Sequence, residues 1–137
     1  MELLRCKARL SILWLGMAVG TVSAWFLYLL TPGVIDDVMA SEMWGMALSE
    51  GMVAVYAVFL IIPMVLAILC LTLSGSANRW LNFILGIIWV LWFIFEIISD
   101  ATGGEVVPIA MWMMLIAGLV ISVYIVYFAW KLPTQEA

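Results

Sequence analysis

Two carboxylates sit inside an otherwise apolar stretch of this chain. From Asn78 to Asp100, the residues Asn78, Asn82, Gly86, Trp89, Phe93, Glu96 and Asp100 follow one another at steps of three and four. That spacing puts them on one face of an α-helix. A third carboxylate, Glu50, opens a second apolar run that also carries Tyr56. Carboxylates attract a cation, and the faces of Trp89, Trp92, Phe93 and Tyr56 add a cation–π attraction of about 0.5–2 kcal/mol. Trp89 and Trp92 are deep in the run, where their indole N–H groups need acceptors, and Asn82 adds a neutral polar group to the seam. These residue types support a cleft that takes up a cationic small molecule or a proton. The plainer alternative is that Glu50 and Asp100 touch water at headgroup depth while Glu96 bonds internally.

The solvent around these residues follows from composition. The chain has 137 residues, 68% hydrophobic and 10% charged, with a mean hydropathy of +1.26. Soluble domains are about half apolar and a quarter charged, so this is an integral membrane protein. There is no histidine, which removes bis-His haem, the usual His-containing metal sites and His-based acid–base or nucleophilic catalysis. Cys6 and Cys70 are isolated thiols without CxxC spacing, which indicates neither a redox centre nor a metal site. We expect no cofactor, no metal and no enzyme. The net charge of −4 argues against nucleic acid, which requires a basic face.

Four apolar runs are long enough to cross a bilayer, which takes roughly 20 residues. They cover about residues 10–30, 48–73, 79–99 and 107–130, and one domain over 1–137 accounts for all of them. The first is closed by Thr31-Pro32-Gly33, a strong stop. A signal peptide ending near Val22-Ser23-Ala24 is the alternative for this run. The run continues through Trp25-Phe26-Leu27-Tyr28, which favours a retained span. Residues 34–49 are too polar to span. Asp36 or Asp37 is placed to cap a short helix there, with Ile35, Met39, Met43 and Trp44 towards the membrane surface, as in an interfacial segment. The second run contains Pro63, whose ring presses on the carbonyl of Phe59 and predicts a bend. Ser74-Gly75-Ser76-Ala77 reads as a tight loop that makes the second and third helices a hairpin, with Asn78 as N-cap. Pro108 suits the first turn of the last helix, and residues 134–137 form a polar tail. Small residues at Gly16, Gly20 and Ala24, at Ala47, Ala54 and Ala57 beside Glu50, at Gly86, and at Gly118 and Ser122 are candidate helix-packing positions. Trp44, Trp80, Trp112 and Trp130 fall near span ends, where aromatic belts anchor.

Charge is sorted by end. Arg5, Lys7, Arg9, Arg79 and Lys131 flank the N-terminal, second-loop and C-terminal positions. The positive-inside rule then places both termini in the cytoplasm, as expected for a multi-pass protein of the cell (inner) membrane. Asp36, Asp37, Glu42, Glu50, Glu96, Asp100 and Glu105 gather at the other end, which has no Lys or Arg of its own. A carboxylate taken from water there must be protonated, hydrated in a cleft, hydrogen-bonded, or paired with a cation from outside the chain.

The stretches Arg9-Leu10-Ser11-Ile12-Leu13-Trp14, Pro32-Gly33-Val34, Ile62-Pro63-Met64, Ala77-Asn78-Arg79-Trp80-Leu81-Asn82 and Ala129-Trp130-Lys131-Leu132-Pro133 resemble, in order and spacing, a family of small four-helix bacterial and archaeal membrane proteins of unknown function. The resemblance covers nearly the whole chain, and Ala-Asn-Arg-Trp and Ala-Trp-Lys are its most recognisable parts. The family pattern often has Glu before the Ile-Pro of the second helix, where this chain has Ile61, so any role of an acid there is missing. The resemblance implies a four-helix architecture and no catalytic residues. The expected fold is all-α, an antiparallel four-helix transmembrane bundle with a short interfacial segment between the first two spans. The expected function is transporter-like or ligand-binding, through an outward-facing acidic and aromatic cleft. The alternative is a structural or accessory subunit, a homo-oligomer or one packed on a membrane partner through its Gly and Ala faces. Beyond these, the lipid bilayer is its partner.

Overall fold

The computed structural model describes residues 2–43, 46–103 and 107–133, the side chains at 43 and 46 excepted. Its elements are α1 (Glu2–Leu29), α2 (Val34–Met39), β1 (Glu42–Met43), β2 (Met46–Ala47), α3 (Glu50–Thr72), α4 (Gly75–Thr102) and α5 (Ile109–Lys131). The fold is the expected all-α bundle: α1, α3, α4 and α5 are each long and apolar enough to cross a membrane. Between α1 and α3 lie the short α2 and a minimal antiparallel pairing of β1 with β2. Trp44 and Glu105, expected as an interface anchor and an acid of the far end, lie outside the described residues, as does the expected tail 134–137.

The element boundaries depart from the expected ones for local reasons. α1 begins at Glu2 rather than near residue 10 because Leu3, Cys6, Leu10 and Trp14 continue one apolar stripe at helical spacing, and Leu3 and Cys6 pack on the core. α2 starts directly after Gly33, whose φ of 89° suits glycine. Asp36 and Asp37 therefore sit in its first turn, where the helix dipole favours them, and do not cap it. Ser49 caps α3, its Oγ accepting from the Met52 N–H at 3.2 Å. α3 runs unbroken through Pro63. α4 starts at Gly75, so the expected four-residue loop shrinks and Asn78 lies one turn inside the helix; its N–H bonds the Ser74 carbonyl at 2.8 Å. A Cβ at Gly75 would lie 2.6 Å from the Pro133 carbonyl oxygen. Pro108 immediately precedes α5 instead of occupying its first turn.

α1 is the central helix. It packs along α3 and α5, and α5 packs along α4, whereas α3 and α4 touch only lightly despite the tight turn between them. Consistent with that splay, Ala47, Ala54 and Ala57, expected as helix-packing positions, are exposed. The densest core joins Leu10, Trp14 and Met17 of α1, Leu66, Ala67 and Cys70 of α3, Trp89 of α4, and Ile125 and Ala129 of α5. These residues lie towards the basic end. The other half of the bundle is hollow.

Candidate functional site

The polar face of α4 faces the interior along its length and divides into two parts. The part nearer the basic end is a closed hydrogen-bond network. Asn82 Oδ1 accepts from the Trp14 indole Nε1–H at 2.5 Å and from the Cys70 Sγ–H at 3.1 Å. Asn82 Nδ2 donates to the Asn78 backbone oxygen at 2.7 Å and its Oδ1 at 2.5 Å, and Asn78 Nδ2 donates to the Cys70 carbonyl at 2.6 Å. Asn78, Asn82 and Cys70 are fully buried. The last carbonyls of a helix lack intrahelical partners, so Asn78 satisfies one at the end of α3. Asn82, placed in the ligand-binding set by sequence, is fully engaged here, remote from any cleft. Cys70, expected as a bystander, belongs to the same network.

The other part of the face lines a cavity of about 990 Å³ walled by all four long helices. The lining runs from Gly16, Trp89 and Ile121 at mid-bundle to Thr31, Pro32, Gly103 and Pro108 at the loops of the acidic end. Glu96 and Asp100 lie on its α4 wall, one turn apart, and Glu96 is an electrostatic neighbour of both Asp100 and Tyr56. The floor is aromatic. Trp89, Phe59 and Trp92 line it, Phe59 bridging Trp89 at 5.8 Å and Trp92 at 4.7 Å, and Trp14 backs Trp89 edge to face from the core with centroids 5.6 Å apart. On the opposite wall Trp25 lies 4.7 Å from Tyr56 and 6.2 Å from Tyr28. The Phe59 contacts with Trp89 and Trp92 close the gap between α3 and α4 at this depth.

Of the residues singled out from sequence, the cavity gathers Glu96, Asp100, Trp89, Trp92, Phe93 and Tyr56. It does not include Glu50, which is exposed in the first turn of α3, where its charge suits the helix dipole. Trp25, Tyr28 and Phe59 were missed. They stood in plain apolar runs, and only the rotation of α1 and α3 about their axes turns them inward. The small residues divide likewise. Gly16, Gly20 and Ala24 line the cavity rather than seating a helix: a Cβ at Gly16 would meet nothing within 4 Å. Gly86 and Gly118 do sit in close α4–α5 contact, Gly86 against Ile125 and Val126 and Gly118 under the Phe93 ring. Buried Ser122 returns its hydroxyl to the Gly118 carbonyl at 2.7 Å.

Across residues 4–136 the chain matches the profile described as "Family of unknown function (DUF6326)". The chain belongs to this family. That membership agrees with a small helical membrane protein and brings no activity with it. Searches of the curated proteins and of the solved structures find no match.

The cavity has the chemistry of a cation site. Two carboxylates in a low-dielectric interior attract positive charge far more strongly than in water, and the surrounding ring faces add cation–π attraction. Among the described residues, no group of three His, Cys, Asp or Glu converges. Two carboxylates amid aromatic rings suit a weakly hydrated organic cation better than a strongly hydrated metal ion.

Proposed function

We propose that this protein binds a hydrophobic organic cation within the membrane and acts as a small transporter-like carrier or receptor, without catalysis. The observation that carries this reading is the placement of Glu96 and Asp100 inside an aromatic cavity of about 990 Å³. A carboxylate on a membrane-spanning helix is costly, though less so towards the helix end, where Glu96 and Asp100 lie, than at its centre. A ligand that brings the opposite charge offsets that cost, which favours such a ligand over a neutral one. If the positive-inside rule sets the topology, the cavity faces outward and both termini are cytoplasmic.

The test is binding of tetraphenylphosphonium to the full purified chain in detergent, measured by calorimetry. Saturable binding is expected, weakened about tenfold or more in Glu96→Gln and again in Asp100→Asn, since each removes a unit charge from a poorly screened site. It is also expected to weaken on acidification as the carboxylates take up protons. A neutral analogue of the same shape binding equally well, or Glu96→Gln leaving affinity unchanged between pH 5 and 8, would overturn the reading. Glu50→Gln is the control and should leave binding unaltered, because Glu50 lies outside the cavity.

A further inference from the structure

On the outer face of the bundle a second concavity, about 430 Å³, runs between α4 and α5. Its walls are Phe83, Ile87 and Leu91 on α4 and Val123, Tyr127 and Trp130 on α5. All are apolar or aromatic, and all but Phe83 are exposed. From Phe83 to Leu91 the groove follows two helical turns, about 12 Å. One leaflet of hydrocarbon is about 15 Å deep, half of the ~30 Å core. The groove is thus sized for an acyl chain of a single leaflet, and its lining ends near mid-span at Leu91 and Val123.

Its two ends differ. At the mid-bundle end the groove meets only aliphatic side chains. At the other end two cations stand at its mouth, each held by an aromatic residue of the groove itself. The Arg79 guanidinium lies 4.8 Å from the Trp130 ring centroid. The Lys131 ammonium lies 4.4 Å from the Tyr127 ring and hydrogen-bonds its hydroxyl. Phe83 and Trp130 bridge the helices just inside, with centroids 5.4 Å apart. Among the described residues, neither cation forms a salt bridge with a carboxylate, and Glu96 and Asp100 line the cavity at the far end.

We infer that this groove binds one phospholipid with an anionic headgroup. An acyl chain lies between α4 and α5, and the phosphate and headgroup are held by Arg79 and Lys131. The apolar length selects a lipid over a soluble anion, and the paired cations at the mouth select a negative headgroup over a zwitterionic one, since each Lys or Arg near an anionic lipid surface adds to binding. The site lies outside the cavity and does not depend on it.

The full chain, purified in a mild detergent, is offered dioleoylphosphatidylglycerol or dioleoylphosphatidylcholine, and retained lipid is counted by native mass spectrometry. Preferential retention of one phosphatidylglycerol is expected. In Arg79→Gln/Lys131→Gln that retention should fall about ten- to thirtyfold, the effect of two cations at a membrane surface. Val123→Trp, which fills the groove without touching charge, should reduce it as well and keeps the test open if the double variant folds poorly. Inorganic phosphate should not displace the lipid. Equal retention of both lipids overturns the inference. So does a preference that survives either variant, or one that is lost instead in Arg5→Gln/Lys7→Gln/Arg9→Gln.

Discussion

Asn82 shows how one side chain can be read correctly for its face and wrongly for its role. Its spacing from Trp89 and Glu96 put it on the interior side of α4, where it is. Spacing carries no information about partners, and in the folded chain Trp14, Cys70 and Asn78 use all its hydrogen-bonding groups. Such a residue holds helices together and has nothing left for a ligand. Asn82→Leu strands the Trp14 N–H, and losing a buried partner costs about 1–3 kcal/mol, towards the low end in a membrane protein. A lowered midpoint of thermal unfolding in detergent is the expected result. Cys70→Ser, which keeps a donor in place, should be milder. Tetraphenylphosphonium affinity at matched temperature should change in neither, which separates this network from the cavity.

At the level of elements, the glycines test whether close packing or open space governs each helix face. A methyl group at Gly86 would lie 2.9 Å from Val126 Cγ2 and 3.1 Å from Ile125 Cγ2. Gly86→Ala should therefore destabilise by about 1–3 kcal/mol, as overpacking does. Gly118→Ala would collide with the Phe93 ring. That ring forms part of the cavity wall, so it is expected to swing inward and weaken probe binding more than stability. Gly16→Ala meets open space and should be neutral or stabilising by up to about 1 kcal/mol, the helix-propensity gain of Ala over Gly. Unfolding midpoints and probe affinities of the three variants check the pattern. By spacing, the Gly16/Gly20/Ala24 stripe suits close approach by a helix. Spacing alone cannot say whether a small residue makes room for a backbone or leaves a hollow, and α1 uses these three for a hollow.

Over the whole molecule, packing and charge share one axis. The end carrying Arg5, Lys7, Arg9, Arg79 and Lys131 is dense, with Leu10, Trp14, Cys70, Asn78, Asn82, Ile125 and Ala129 all fully buried. The end carrying Glu96 and Asp100 is open, and the light contact between α3 and α4 lets the cavity extend to its loops. On the proposed reading, a dense base beneath a hollow top would let the cavity be loaded from one side. Reporter fusions test which side that is. A C-terminal green fluorescent protein is expected to fluoresce and a C-terminal alkaline phosphatase to be inactive, since the positive-inside rule places that end in the cytoplasm. The opposite pair of results would turn the cavity inward and reverse the direction of loading.

Taken alone, the sequence determined what depends on local composition and period. It fixed a membrane protein of four long helices, the charged character of each end, and the side of α4 that faces protein. These follow because hydropathy and the 3.6-residue repeat are properties of each segment by itself. The tertiary structure decided which aromatics of α1 and α3 turn inward, that Glu50 stays outside, that Asn82 is spent on the core, and that α3 and α4 stand apart. The physical reason is that lipid tails are as apolar as leucine. For a span such as α3, apolar on nearly every side after its first turn, the bilayer and the bundle interior are nearly equivalent solvents, and the shapes of its neighbours choose its rotation.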